Sequence, residues 1–156
     1  MRRRTLPRAR AKALTDAEQR VVCALLQGLA YADIAQLRAA SIHTVANQIA
    51  AAYRKTGARS RSELAAQQYP VPAELQCMER IARALPSLTA SERSVAYHAA
   101  LGRSNKWIAA ELDATLSTVA AHLRRAVRKL GLRRRVELAR ALCERAGVVT
   151  AFERRE

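Results

Sequence analysis

The chain is short of acid. Thirteen Asp and Glu stand against 28 Lys and Arg in 156 residues, a formal charge of +15 with a sequence pI near 11.2. The expected partner is therefore a polyanion, and nucleic acid fits that best. Arg far outnumbers Lys and Ala is abundant, a mark of GC-rich coding that accounts for the choice of Arg but not for the excess of charge. Cysteine is also scarce. Cys23, Cys77 and Cys143 are far apart, odd in number and without CxxC spacing, which argues against a disulfide framework and a zinc site. His43, His98 and His122 lack neighbours of metal-binding or catalytic type. No nucleophile, base and orienting group share a recognisable spacing, so neither an enzyme nor a cofactor is expected. No apolar run approaches the roughly 20 residues that cross a bilayer, and the first residues lack the apolar stretch of a secretory signal. These absences predict a soluble, cytoplasmic, nucleoid-associated protein with no membrane partner.

What the sequence does contain is an internal repeat. Half of the residues are apolar, enough for two small cores, and the two halves align without a gap: 88 − 14 and 131 − 57 both give an offset of 74. The matched pairs include Leu14/Leu88, Thr15/Thr89, Glu18/Glu92, Gly28/Gly102, Ile34/Ile108, Thr44/Thr118, Val45/Val119, Lys55/Lys129, Gly57/Gly131, Glu63/Glu137 and Leu64/Leu138. Two copies make a tandem domain pair and not a solenoid, which needs three or more stacked units.

Each copy predicts four short helices. Thr15 with Glu18, and Thr89 with Glu92, form capping boxes that open the first; Gly28 and Gly102 end it. A second helix, Tyr31 to Leu37 and Asn105 to Leu112, leads through a short turn into a longer third, which is helix-turn-helix spacing. In that third helix Ile42, Val45, Ile49 and Tyr53 recur at helical period as the expected buried stripe, repeated by Leu116, Val119, Leu123 and Val127. Gly57 and Gly131 stop it, and a fourth helix begins near Arg61 and Arg135. Between the copies, Pro70, Pro72 and Pro86 break the chain around an amphipathic segment, Glu74 to Leu85, with Leu75, Met78, Ala82 and Leu85 on the face that should pack on a repeat. The fold class expected is all-α: a basic arm over 1–13 without packed structure of its own, a first domain over 14–70, a linker with a short helix over 71–87 and a second domain over 88–150.

Leu-Thr-x-x-Glu, Gly-x-x-x-x-x-Ile-Ala, Thr-Val and Arg-Lys-x-Gly-x-x-x-Arg-x-Glu-Leu, in this order and in both copies, resemble the LuxR/GerE-type helix-turn-helix domain of bacterial transcription regulators. The resemblance implies two tandem LuxR-type domains that bind double-stranded DNA with their third helices, without the receiver or sensor domain that usually accompanies one such domain. Copy one departs from the family at Gln48 and Thr56, and both copies place Ala, at 46 and 120, where the family has a basic residue after Thr-Val.

If the stripe is buried, the third helix of copy one turns His43, Ala46, Asn47, Ala50 and Arg54 outward. Asn47 can pair with adenine and Ala46 can touch a thymine methyl. The matching face of copy two carries Ser117, Ala120, Ala121, Arg124 and Arg128, flanked by Arg125, and Arg124 can pair bidentately with guanine. Phosphate contacts are expected from Thr44, Thr118, Arg54, Lys55, Arg59, Lys106, Arg128, Lys129, Arg133 and Arg134. The more basic copy two should anchor the complex, with copy one adding selectivity. His122 is expected to be structural and His43 to face outward, while Trp107 has two readings, packing within the domain or anchoring a partner. Family dimers associate through the fourth helix, so Arg61 to Gln68 and Val136 to Arg145 can pair within one chain, as a monomeric pseudo-dimer, or between chains, as a homodimer. Two other functions compete: an adaptor that binds RNA polymerase or another regulator, and a nucleoid-type binder without sequence preference.

Overall fold

The computed structural model describes residues 13–71 and 78–146. Among these residues there are nine α-helices, one 3-10 turn and no strand. The basic arm over 1–12, Leu75, Cys77 and the expected end of the second domain after 146 lie outside the described residues.

Two compact units divide between Arg59 and Ser60. The first contains α1 (Asp16–Leu26), α2 (Tyr31–Leu37) and α3 (Ile42–Thr56), each packed on the other two. Helix α1 starts where its sequence caps it: the Thr15 backbone N–H donates to Glu18 Oε2 at 2.8 Å while the Glu18 N–H donates to Thr15 Oγ1 at 3.3 Å. The turn into α3 passes through Ala39 at φ +49°, a left-handed conformation costing an L-residue roughly 1–2 kcal/mol. Val21, Leu25, Ile34, Val45, Ile49 and Ala52 fill the core, each large side chain stabilising the fold by roughly 1.5–3 kcal/mol.

The second unit repeats that frame in α6 (Ala90–Ala100), α7 (Asn105–Glu111) and α8 (Leu116–Lys129), with a capping box at Thr89 and Glu92 and a left-handed Asp113 at φ +48° where the first unit has Ala39. A 3-10 turn, Arg135–Glu137, and α9 (Leu138–Arg145) close it against α6. The amphipathic segment between the copies is helical as α5 (Met78–Ala84) and packs on α6. Ile81 and, just past the end of the helix, Leu85 are buried, with Ala82 half-buried, so the face that docks includes Ile81, absent from the expected stripe.

Helix α4 (Arg61–Gln68), which the repeat counts with the first copy, packs in the second unit on α6, the 3-10 turn and α9. The approach is close: a Cβ on Gly102 would lie 2.9 Å from Glu63 Cα. Glycine at 102 is required by that contact and by its φ of +78° together. The compact units thus do not follow the sequence boundary near residue 70.

The expected buried stripe is shifted at its leading end. Ile42 and Leu116 are each 55% exposed, and the buried positions are Val45, Ile49 and Ala52 in α3 and Val119, Leu123 and Ala126 in α8, with Tyr53 and Val127 half-buried. As first residues of their helices, Ile42 and Leu116 lean back over the preceding turn instead of onto the core, because helical side chains point toward the N-terminal end. The stop expected at Gly131 is in place: α8 ends at Lys129 with Leu130 as its cap, and Gly131 follows at φ +71° in the left-handed conformation that terminates the helix.

Candidate nucleic-acid interface

Neither α3 nor α8 contains an Asp or Glu. Beneath their outward faces each helix is fixed at both ends. At the start of α3, Ser41 Oγ accepts the Thr44 N–H at 3.0 Å and lies 2.8 Å from Thr44 Oγ1. In α8, Thr115 Oγ1 accepts the Thr118 N–H at 3.1 Å and lies 2.8 Å from the hydroxyls of Ser117 and Thr118. The Thr44 and Thr118 hydroxyls are therefore oriented by the caps.

At the far end a lysine reaches back to the first helix of its own unit. Lys55 Nζ sits 2.6 Å from Glu18 Oε2, and Lys129 Nζ sits 2.7 Å from Glu92 Oε2. Both carboxylates are buried, Glu18 and Glu92 alike. The lysine ammonium, helped by the capping N–H, holds Glu92 down at about 2 and lowers Glu18 in the same way. Each tie joins the capping box to the end of the third helix, so one carboxylate fixes both. Lys55 and Lys129, expected at phosphate, thus have a partner inside the fold. The signal for this was in the repeat, which keeps Glu18 with Lys55 and Glu92 with Lys129.

On the outward face of α3, His43, Thr44, Asn47, Ala50 and Arg54 are exposed and Ala46 is half-buried. On α8, Ser117, Thr118, Arg124, Arg125 and Arg128 are exposed, with Ala120 and Ala121 half-buried. Arg133 and Arg134 follow the helix, Lys106 lies on α7 and Arg59 ends the first unit, all exposed. Among the described residues none of Arg54, Arg124, Arg125, Arg128, Arg133 and Arg134 forms an ion pair, so their positive charge is uncompensated locally. Arg135 is used differently. Its guanidinium donates to Asn105 Oδ1 at 2.5 Å and to the Arg103 carbonyl, tying the 3-10 turn to the α6–α7 loop.

Trp107 is half-buried, its ring 5.2 Å from that of His98 and 4.7 Å below the Arg103 guanidinium. Burial pushes the His98 imidazole below its ordinary value, so it is neutral at pH 7. Trp107 thus makes packing contacts within its own unit. His122 and its counterpart Gln48 are half-buried beside the core stripe. Neither Cys23 nor Cys143 forms a disulfide among the described residues. Among the described residues no group of His, Cys, Asp and Glu could hold a metal ion, and no helix is long and apolar enough to cross a membrane.

Residues 86–142 match the family model of the bacterial regulatory proteins of the luxR family, GerE. No curated protein and no solved structure matches the chain. The matched span runs from Pro86, just before the second capping box, into α9, and it contains the α7-turn-α8 pair. Residues 86–142 are a GerE/LuxR-type helix-turn-helix domain, the DNA-binding domain of transcription regulators.

Proposed function

We propose that this chain is a sequence-specific regulator of transcription that reads double-stranded DNA with two unequal helix-turn-helix modules, α8 of the luxR-type domain and α3 of the first unit. The observation that carries the proposal is the outward face of α8: three exposed arginines, no acid on the helix and no ion pair to any of them among the described residues. Arginines left uncompensated at a helix face suit phosphate and guanine, whereas an adaptor surface has no need of them. The first unit joins as a second module because it shares the capping box, the lysine tie and the left-handed turn residue. In this reading Arg124 pairs with guanine, Asn47 with adenine, and Arg54, Arg128, Arg133 and Arg134 hold the backbone, aided by Lys106, Arg59 and the oriented hydroxyls of Thr44 and Thr118.

Selection of bound duplexes from randomised DNA by the full chain, at stated salt, tests the proposal. Enrichment of a motif, altered at different positions by Arg124→Ala and Asn47→Ala, supports two readers. Binding without enrichment favours the nucleoid-type alternative and rejects specificity.

Packing of α4 on α9 favours a monomeric pseudo-dimer over a homodimer. The two fourth helices of the repeat meet within one chain, and such a unit binds its site as one chain per duplex. Mass photometry of the complex checks this, and an obligate dimer at nanomolar concentration contradicts it.

A further inference from the structure

The opening turns of α3 and α8 expose large aliphatic side chains at the same place in the repeat. Ile42 and Leu116 are each the first residue of their helix and each 55% exposed. The other large apolar residues exposed among the described residues are Tyr31 and Leu37, and these have Asn105 and Glu111 as counterparts. Among the described residues, only the 42/116 position keeps a large exposed aliphatic group in both units.

Residues four apart follow one another along one edge of a helix. From Ile42 that edge runs through Ala46 to Ala50, and from Leu116 through Ala120 to Arg124. An aliphatic strip therefore leads each helix, on a helix without acid and, in α8, bordered by Arg124, Arg125 and Arg128, which form no ion pair among the described residues. An apolar protein partner would leave those arginines without a counter-charge. A duplex meets both requirements, since its phosphates take the arginines and the thymine 5-methyl is the aliphatic group displayed in the major groove.

We infer that Ile42 and Leu116 are specificity-determining residues that pack on thymine 5-methyl groups, so that each recognition helix favours thymine beneath its opening turn. This rests on the DNA reading above and adds a residue pair that supplies no charge and no hydrogen bond. It also explains why a large, branched aliphatic side chain is kept where core packing gains little from it.

Deoxyuridine differs from thymidine only by the methyl, and that isolates the interaction. A duplex enriched by the full chain is synthesised once with thymine and once with deoxyuridine. Removal of one buried methyl corresponds to about a fourfold weaker complex. The wild-type chain should bind the uridine duplex about fourfold more weakly for each methyl it covers. The Ile42→Ala/Leu116→Ala variant should bind both duplexes alike, and Ile42→Val should keep part of the difference. Circular dichroism checks that the variants remain helical, and both substitutions are at half-exposed positions outside the core. Indifference of the wild type to the methyl overturns the assignment, as does a double variant that keeps the whole difference, since the methyl would then lie against Ala46 and Ala120. A chain that binds no duplex at all overturns the DNA reading and this assignment with it, whereas selective binding without methyl dependence overturns the assignment alone.

Discussion

In the first unit the third helix turns His43, Asn47, Ala50 and Arg54 outward, and in the second the same face carries Ser117, Arg124, Arg125 and Arg128. Beneath those faces the units are alike. Both open on a Thr–Glu capping box, both tie that Glu to a lysine at the end of the third helix, and both pass through a left-handed non-glycine residue at the turn. They also differ in how the frame is closed, because the second unit holds α4, α5 and α9 around its three-helix core and so includes the fourth helix of each copy. The comparison separates two kinds of residue. Those that set the geometry of the third helix are duplicated, as are the proposed backbone contacts Thr44/Thr118, Arg54/Arg128 and Arg59/Arg133, whereas the proposed base-reading positions 47/121 and 50/124 have diverged.

The largest effect expected is on binding. Removing Arg124 and Arg128 together should weaken DNA affinity by about 1–3 kcal/mol for each arginine that contacts a base. His43→Ala with Arg54→Ala should cost less, since the first face carries less charge. Fluorescence anisotropy at one salt concentration compares the two pairs, and equal decreases would break the claim that the readers are unequal.

The shared frame makes a prediction of the opposite kind, that matched substitutions have matched costs. Glu92→Gln removes the charge from a buried ion pair and weakens its cap, and should destabilise the second unit by about 1.5–3 kcal/mol. Glu18→Gln should do nearly the same to the first, measured by urea unfolding. The same carboxylates set an acid limit. A carboxyl group held at about 2 when folded binds its proton more readily when unfolded, with an ordinary value near 4.5. Its stabilisation is therefore complete above pH ~4.5 and disappears as pH falls toward ~2. Urea midpoints between pH 7 and pH 2.5 should fall in wild type and fall less in Glu92→Gln.

Smallest is the turn between the second and third helices. Ala39→Gly relieves the left-handed strain and should stabilise the first unit by about 1 kcal/mol. Asp113→Gly should gain less, because Asp tolerates that conformation better than Ala. Thermal melts of the two variants distinguish a difference in residue from a difference in turn geometry.

Much of this was legible in the sequence, and the parts that were not share a cause. The repeat, the capping boxes and the order of helices depend on residues a few positions apart, and local rules read them. Lys55 lies 37 residues from Glu18, so the tie needed the fold to bring them together even though the repeat preserved both partners. Period alone placed Ile42 and Leu116 in the buried stripe, because a period does not say where along the helix packing against the neighbouring helix begins. The packing of α4 was hidden for a similar reason. Leu64, Ala65 and Tyr69 announce a buried face, but nothing in their spacing says which unit buries it.

The most direct test of the central claim is the salt dependence of DNA binding by the full chain and by Arg124→Ala/Arg125→Ala/Arg128→Ala. If the face of α8 lies against the duplex, the slope of log affinity against log salt should be shallower in the variant by about 0.9 for each phosphate that these arginines neutralise. A slope that the triple substitution leaves unchanged would mean that α8 does not face DNA.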